Sequence, residues 1–324
     1  NLHATTRQDI QIHFVSLDKT PELWAKLELD DITTREACGN TVRNITASDK
    51  AGIDPNEPFD VSPYAYEMFR YFLRNPICQE MGRKFKISFS SSDDDTAFSF
   101  IHDLGFIPKI INGERGFKVM IAGGLGANPT LAQVAYEFLP EDQIIPFTEA
   151  VLRVFDRYGE RARRMKARFK FLMNDLGLER VMELVAEERK AIKVKSYITD
   201  PDVIPDPVLP GHELGAEPLI EDTTQYERWV ATNVFEQKQK GFYGVYVKLP
   251  LGNMSSDLAR AFADIVDQYA AAEMRITINQ GYLIRFVRAE ALKRLYLALY
   301  PLGLAEPGFD SVADITACPG TESC

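Results

Sequence analysis

E-M-R-I-T-I-N-Q-G-Y-L-I-R-F-V, residues 273–287, echoes the start of the chain, N-L-H-A-T-T-R-Q-D-I-Q-I-H-F-V, residues 1–15. Laid on one another, the two stretches agree at Thr5/Thr277, Gln8/Gln280, Phe14/Phe286 and Val15/Val287. In the first, Ile10, Ile12 and Phe14 alternate with Gln11 and His13, the pattern of a half-buried strand. A helix is expected after each. Residues 21–29 carry Thr20 as N-cap and Pro21 at the first position, with Trp24 and Leu27 turned inward; residues 289–300 follow the second strand. Beyond the helices, N-I-T-A-S (44–48) is echoed by D-I-T-A-C (314–318). Few positions are identical, so chance likeness competes. The shared order of strand, helix and I-T-A favours an internal duplication about 270 residues apart.

The second copy is more complete. Residues 241–249 read as a strand, and 256–272 as an amphipathic helix with Leu258, Phe262, Ile265, Val266 and Tyr269 inward. With the strand from 273 they make a β-α-β unit of ferredoxin-like type. The copies differ where chemistry resides. Arg7 and Arg43 in the first stand against Asn279 and Ala313 in the second, and Ser48 against Cys318. One copy has the cations for an anion, the other a thiol for a metal.

Between the copies, residues 64–81 read as a helix leading into the strand G-R-K-F-K-I-S-F-S (82–90). Its Lys84 and Lys86 share a face, with their bases about 7 Å apart. Lysines on a solvated edge strand look the same. Residues 117–122 form an apolar strand running into G-G-L-G-A-N-P (123–129), and residues 131–138 read as a helix. Glycines after a strand let backbone N–H groups approach an anion, so Gly123, Gly124, Gly126 and Asn128 are candidate cofactor contacts. Pro129 stands where a dinucleotide fingerprint has its third glycine. Residues 146–193 read as helical. Their basic run of Arg161, Arg163, Arg164, Lys166, Arg168 and Lys170 reads as a solvated face, and proline-rich 200–217 as a linker.

The chain closes on A-C-P-G-T-E-S-C (317–324). Five residues between Cys318 and Cys324 exceed the usual zinc spacing and suit an iron–sulfur cluster better, although two ordinary thiols give the same pattern. Cys38 and Cys78 read as structural, and His3, His13, His102 and His212 as satisfied polar residues. Four cysteines in 324 residues are no disulfide framework and fit a reducing, cytoplasmic setting. A net charge of −10 argues against nucleic acid, and no apolar run is long enough for a bilayer. The absence of an initiator Met and the motif interrupted at Cys324 suggest part of a longer polypeptide.

T-T-R-Q with Q-I-H after it, C-G-N-T-V-R-N, R-K-F-K, G-G-L-G-A-N-P and A-C-P-G-T-E-S-C, in this order, resemble the nitrite and sulfite reductases that couple sirohaem to a [4Fe–4S] cluster. The resemblance implies an α+β fold: duplicated ferredoxin-like half-domains plus an α/β sirohaem and iron–sulfur domain. It divides the chain into a first half-domain at 1–32, lacking its N-terminal part, and a first α/β domain at 33–195. A linker at 196–225, a second half-domain at 226–308 and the opening of a second 4Fe-4S domain at 309–324 follow. Carried over by position, Arg7, Arg43, Lys84 and Lys86 surround the substrate. Gln11 and the glycine loop contact the macrocycle. Cys318 and Cys324 are the first two cluster ligands, with the other two cysteines outside this chain. The implied reaction is six-electron reduction of sulfite to sulfide, or nitrite to ammonia, fed by a ferredoxin or a flavoprotein. Lys86 stands where nitrite reductases of the family resemble one another in having asparagine, which favours the sulfite dianion. Two other readings compete: a non-catalytic fragment lacking both cofactors, and a dinucleotide-dependent dehydrogenase built on residues 123–129.

Overall fold

A computed structural model describes residues 2–209, 211, 214–318 and 320. The chain forms two compact units, Leu27–Pro205 and a second made of Asn1–Lys26 with Asp206–Cys324.

The chain opens with β1 (Leu2–Ala4) and β2 (Ile10–Ile12), an antiparallel hairpin, then α1 (Thr20–Glu28). The expected single strand therefore turns back on itself. Gln8 sits at φ 58° in the turn, and the Thr5 side chain accepts the Asp9 N–H. Ile10 and Ile12 are exposed rather than half-buried. So is Trp24 at 54 %, because no residue of α1 is buried. Thr20 lies inside the helix rather than capping it.

The unit Leu27–Pro205 contains β3 (Val42–Ala47), α2 (Ser62–Phe72), β4 (Phe85–Phe89), β5 (Leu104–Ile111), β6 (Glu114–Ile121), β7 (Gln133–Pro140), α3 (Ile144–Tyr158), α4 (Phe169–Leu176) and α5 (Leu178–Ala191). Its five strands lie in sequence order, β3, β4 and β5 parallel and β5, β6 and β7 antiparallel. α2 is shorter than the expected 64–81: Leu73 turns extended, and Arg74 takes φ 61° ahead of Pro76. The expected helix at 131–138 is a strand instead, β7, paired along β6. Phe85, Phe89, Phe106 and Phe117 are fully buried, and Phe85 packs against Phe155 and Phe169 at centroid distances of 5.7 and 5.5 Å. Each such ring contributes roughly 1.5–3 kcal/mol by leaving water.

The chain then forms α6 (Thr223–Asn233), β8 (Val234–Glu236), β9 (Phe242–Val247), β10 (Asn253–Met254), α7 (Ser256–Tyr269), β11 (Met274–Ile276), β12 (Tyr282–Arg288) and α8 (Leu292–Leu299). Ser255 caps α7 by accepting the Leu258 N–H. Phe262 and Val266 are buried, as the periodicity expected. β11, β12, β9 and β8 make one sheet; β10, β1 and β2 make another.

The duplication is visible in backbone detail. Residues 273–287 also fold as a hairpin, β11 to β12. Gln280 matches Gln8 with φ 65°, and Thr277 accepts the Gly281 N–H through its side chain, as Thr5 accepts that of Asp9. Phe14 and Phe286 share φ values of 60° and 58°. The two glutamines also reciprocate: Gln8 Nε2 donates to Ile276 O at 3.1 Å, and Gln280 Nε2 to Ala4 O at 3.3 Å. The matched residues are thus those that the repeated turn requires.

Candidate functional site

The starts of β3, β4 and β5 and the end of β6 lie at one end of the five-stranded sheet, with Val42 opposite Phe85 and Leu104 opposite Ile121. Val42 and Phe85 point into the core, so Arg43, Lys84 and Lys86 take the opposite face. The carboxyl ends of the parallel strands, where ligands often bind in open α/β sheets, are closed here. Ser91 donates to Asp54 at 2.5 Å, Thr96 donates to Ser48 at 2.8 Å, and Ser48, Ser91 and Asp54 are buried. An open cleft of about 470 Å3 lies beside the cationic end, lined by residues including Thr41, Gly82 and Arg161.

Arg43 donates to Ala37 O at 2.9 Å and Gly39 O at 3.1 Å, which fixes the guanidinium over the Cys38 turn. The Lys84 ammonium makes no side-chain hydrogen bond or ion pair among the described residues. Burial pushes its ammonium below the ordinary lysine range, and Arg43, Arg168 and Arg83 push it further. Arg83 is lowered likewise by burial and by Arg164, Arg168 and Arg43. These cations therefore sit close enough to repel one another. The carboxylate set against them is Asp103, fully buried just ahead of β5. Its Oδ2 accepts from Arg168 at 2.8 Å and from the Lys86 N–H at 2.9 Å. Burial raises the Asp103 carboxyl, and those two donors pull it back. Asp103 Oδ1 and Arg168 Nε have no hydrogen-bond partner among the described residues.

The basic run predicts a solvated face for Arg168 and Lys170. Instead Arg168 is turned in, and Lys170 is 3 % exposed. Lys170 Nζ donates to Gly124 O at 3.3 Å, Leu125 O at 3.2 Å and Asn128 O. The loop at 123–129 thus turns carbonyls onto a lysine. The Gly123 N–H is held by His102 O and that of Gly124 by Thr130 O, while Gly126 and Asn128 are exposed. A Cβ on Gly123 would lie 2.5 Å from Phe100 O, so packing accounts for that glycine. No helix follows the loop. The dehydrogenase reading thereby loses the N-terminal dipole it depends on.

Arg7 lies in the β1–β2 turn and Gln11 on exposed β2. Cys318 is exposed and in no disulfide among the described residues; Cys324 and His212 lie outside them. Cys78 is buried, its thiol pushed up by desolvation, which fits a structural role. Cys38 is exposed, so no core packing explains it. His3 is buried between Asn253 and Gln280, whereas His13 Nε2 has no hydrogen-bond partner among the described residues.

Residues 38–194 match the family model described as "Nitrite and sulphite reductase 4Fe-4S domain", and residues 235–302 match "Nitrite/Sulfite reductase ferredoxin-like half domain". The chain belongs to the nitrite and sulfite reductase family. Its relatives include the protein named sulfite reductase [ferredoxin] 1 from Mycolicibacterium paratuberculosis, 31 % identical over 98 % of this chain and 53 % of the relative. The assimilatory ferredoxin-dependent nitrite reductase of Haloferax mediterranei is 28 % identical over 99 % of this chain and 54 % of the relative. The structure of the Mycobacterium tuberculosis NirA protein superposes with a TM-score of 0.77 at 28 % identity, covering 94 % of this chain and 52 % of that one. The chain spans about half the length of the curated relatives it matches.

The donor set fits the cofactors of this nitrite and sulfite reductase family in part. Clustered Arg43, Arg83, Lys84 and Arg168 suit a macrocycle bearing carboxylates. Cys318 supplies an accessible thiol, but no group of three or more His, Cys, Asp or Glu among the described residues is arranged to hold a metal. A cluster would need ligands beyond these.

Proposed function

We propose that the chain provides the oxyanion-binding portion of a sirohaem-dependent reductase converting sulfite to sulfide, with nitrite to ammonia as the related reaction. The observation that carries this is that strand register sets Arg43 and Lys84 side by side at one sheet end, where Arg168 joins through Asp103 beside Lys86, in a chain of this family. Sulfite is a small dianion. Binding it away from bulk water needs opposing charge already in place, because an unpaired buried charge is costly. Arginine stays charged and holds geometry, whereas a lysine of lowered pKa also donates a proton more readily. Reduction of sulfite consumes six electrons and releases its oxygens as water, so proton donors must stand beside the anion. Lys84 has that character, and Lys86 extends along the same face. Within the unit Leu27–Pro205, Gly126 and Asn128 are assigned to the macrocycle. Sirohaem and the cluster would supply the electrons, with Cys318 and Cys324 among the cluster ligands and a ferredoxin or flavoprotein as donor.

The test is a visible absorption spectrum of the protein expressed from its whole gene, with and without sulfite. Sirohaem bands that shift on adding sulfite support the assignment. A colourless protein, or bands indifferent to both sulfite and nitrite, overturns it.

A further inference from the structure

The segment carrying Cys318 is poorly covered, with Val312 100 % and Ile315 72 % exposed. It is tied down at the residue before the cysteine. Gln280, 3 % exposed, accepts the Ala317 N–H through Oε1 at 2.8 Å and donates to Ala317 O through Nε2 at 2.8 Å. One side chain thus pairs both backbone groups of Ala317, as a neighbouring strand would. Its neighbour Asn279 donates to Asp310 at 3.1 Å and Asp314 at 3.4 Å. The β11–β12 turn therefore grips the same segment twice.

The Gln280 carboxamide is itself oriented. Asn253 Oδ1 lies 3.0 Å from His3 Nδ1, and the acceptor there puts the proton on Nδ1. His3 Nε2 is then an acceptor and faces Gln280 Nε2 at 3.2 Å, with Ala4 O at 3.3 Å. One amide N–H goes to Ala317 O and the other is shared between His3 Nε2 and Ala4 O, which leaves Oε1 for the Ala317 N–H. A gap under Gln280 is excluded by Gly252, where a Cβ would lie 2.5 Å from Ala4 O and 3.2 Å from Gln280 Cβ.

We infer that Gln280 is a positioning residue for Cys318, holding the thiol in place for its metal centre through Ala317. The inference rests on the proposed role of Cys318 as a cluster ligand. Partners outside the ligand set that orient ligands typically matter 10- to 100-fold for metal affinity. The role also explains why the repeat keeps this glutamine. Both copies use it to tie the hairpins together, and the second copy also uses it at the thiol segment.

The test uses the protein from its whole gene, purified without oxygen, as wild type, Q280L, Q280E, Q8L and C318S. Iron, acid-labile sulfide, the cluster's electron paramagnetic resonance and the rate of cluster loss in air are measured, with the thermal midpoint as a folding check. Q280L is expected to lose its cluster roughly 10- to 100-fold faster than wild type. Q280E, which keeps an acceptor for the Ala317 N–H but loses the donor to Ala317 O, should fall between. Q8L removes only the bond to Ile276 O and should retain the cluster. Should Q280L misfold, Q280E against Q8L decides. Equal retention in Q280E and wild type, or equal loss in Q8L and Q280E, overturns the inference while the role of Cys318 stands. A wild type without iron, or a C318S protein that keeps its cluster, overturns the role of Cys318 and the inference with it.

Discussion

Replacing Lys84 with methionine separates what the cationic site does for binding from what it does for stability. Methionine keeps most of the stem and removes the ammonium. At an effective dielectric of 20, a unit charge pair at 4 Å is worth about 4 kcal/mol. Lys84 is only half-buried, so solvent screens much of that. A charge-assisted hydrogen bond, about 1.5–3 kcal/mol, is the better guide. Sulfite should then bind roughly 10- to 150-fold more weakly, read by spectral titration. Stability should move the other way. Lys84 is pushed below the lysine range by burial and by Arg43, Arg168 and Arg83, so its charged form opposes folding. Below the folded value the ammonium is charged in both states and the cost is fully present. As pH rises from there to the ordinary value of 10.5, the wild type recovers stability relative to Lys84→Met. The variant should therefore melt no lower than wild type at neutral pH. Affinity of the wild type for sulfite should fall at a lower pH than an ordinary lysine would give, and Lys84→Arg should move that limb upward. An unchanged affinity in Lys84→Met, or a lowered melting point with unchanged affinity, refutes the reasoning.

Lys86→Asn removes one charge from the same face, and a dianion feels that loss more than a monoanion; the ratio of kcat/KM for sulfite over nitrite should fall about tenfold. Asp103→Asn tests the buried carboxylate by urea midpoints between about pH 4 and 7. Because burial raises Asp103 above its value of 3.8, wild-type stability relative to the variant should decline as pH rises from there, and a flat or rising difference would mean that Arg168 outweighs burial. Phe85→Ala opens a cavity against Phe155 and Phe169 and should cost about 3–5 kcal/mol in urea unfolding; a loss under 1 kcal/mol contradicts the packing described.

The repeat was legible because the matched residues do the same local work twice. Thr5 and Thr277 bind the same turn position, and Gln8 and Gln280 hold the same left-handed backbone. That each repeat was a hairpin was hidden, since alternation continues through the turn and glutamine does not advertise positive φ. Leu131, Val134, Ala135 and Phe138 have helical spacing, but Val134, Tyr136 and Phe138 also alternate; pairing with β6 decides, and that is tertiary. Lys84 and Lys86 could be placed on one face from period alone. Arg168 and Lys170 could not be separated from their basic run, because Asp103 and the carbonyls of Gly124 and Asn128 lie 42 to 65 residues away in sequence. No local pattern carries that pairing.

The location of the anion is the central claim, and diffraction from crystals of the whole protein grown with sulfite addresses it directly. Density for the anion within hydrogen-bonding reach of Arg43 and Lys84, at the starts of β3 and β4, is the expected result. Sulfite bound at the glycine loop, at the carboxyl ends of the parallel strands, or anywhere that leaves Arg43 and Lys84 facing only water would contradict it.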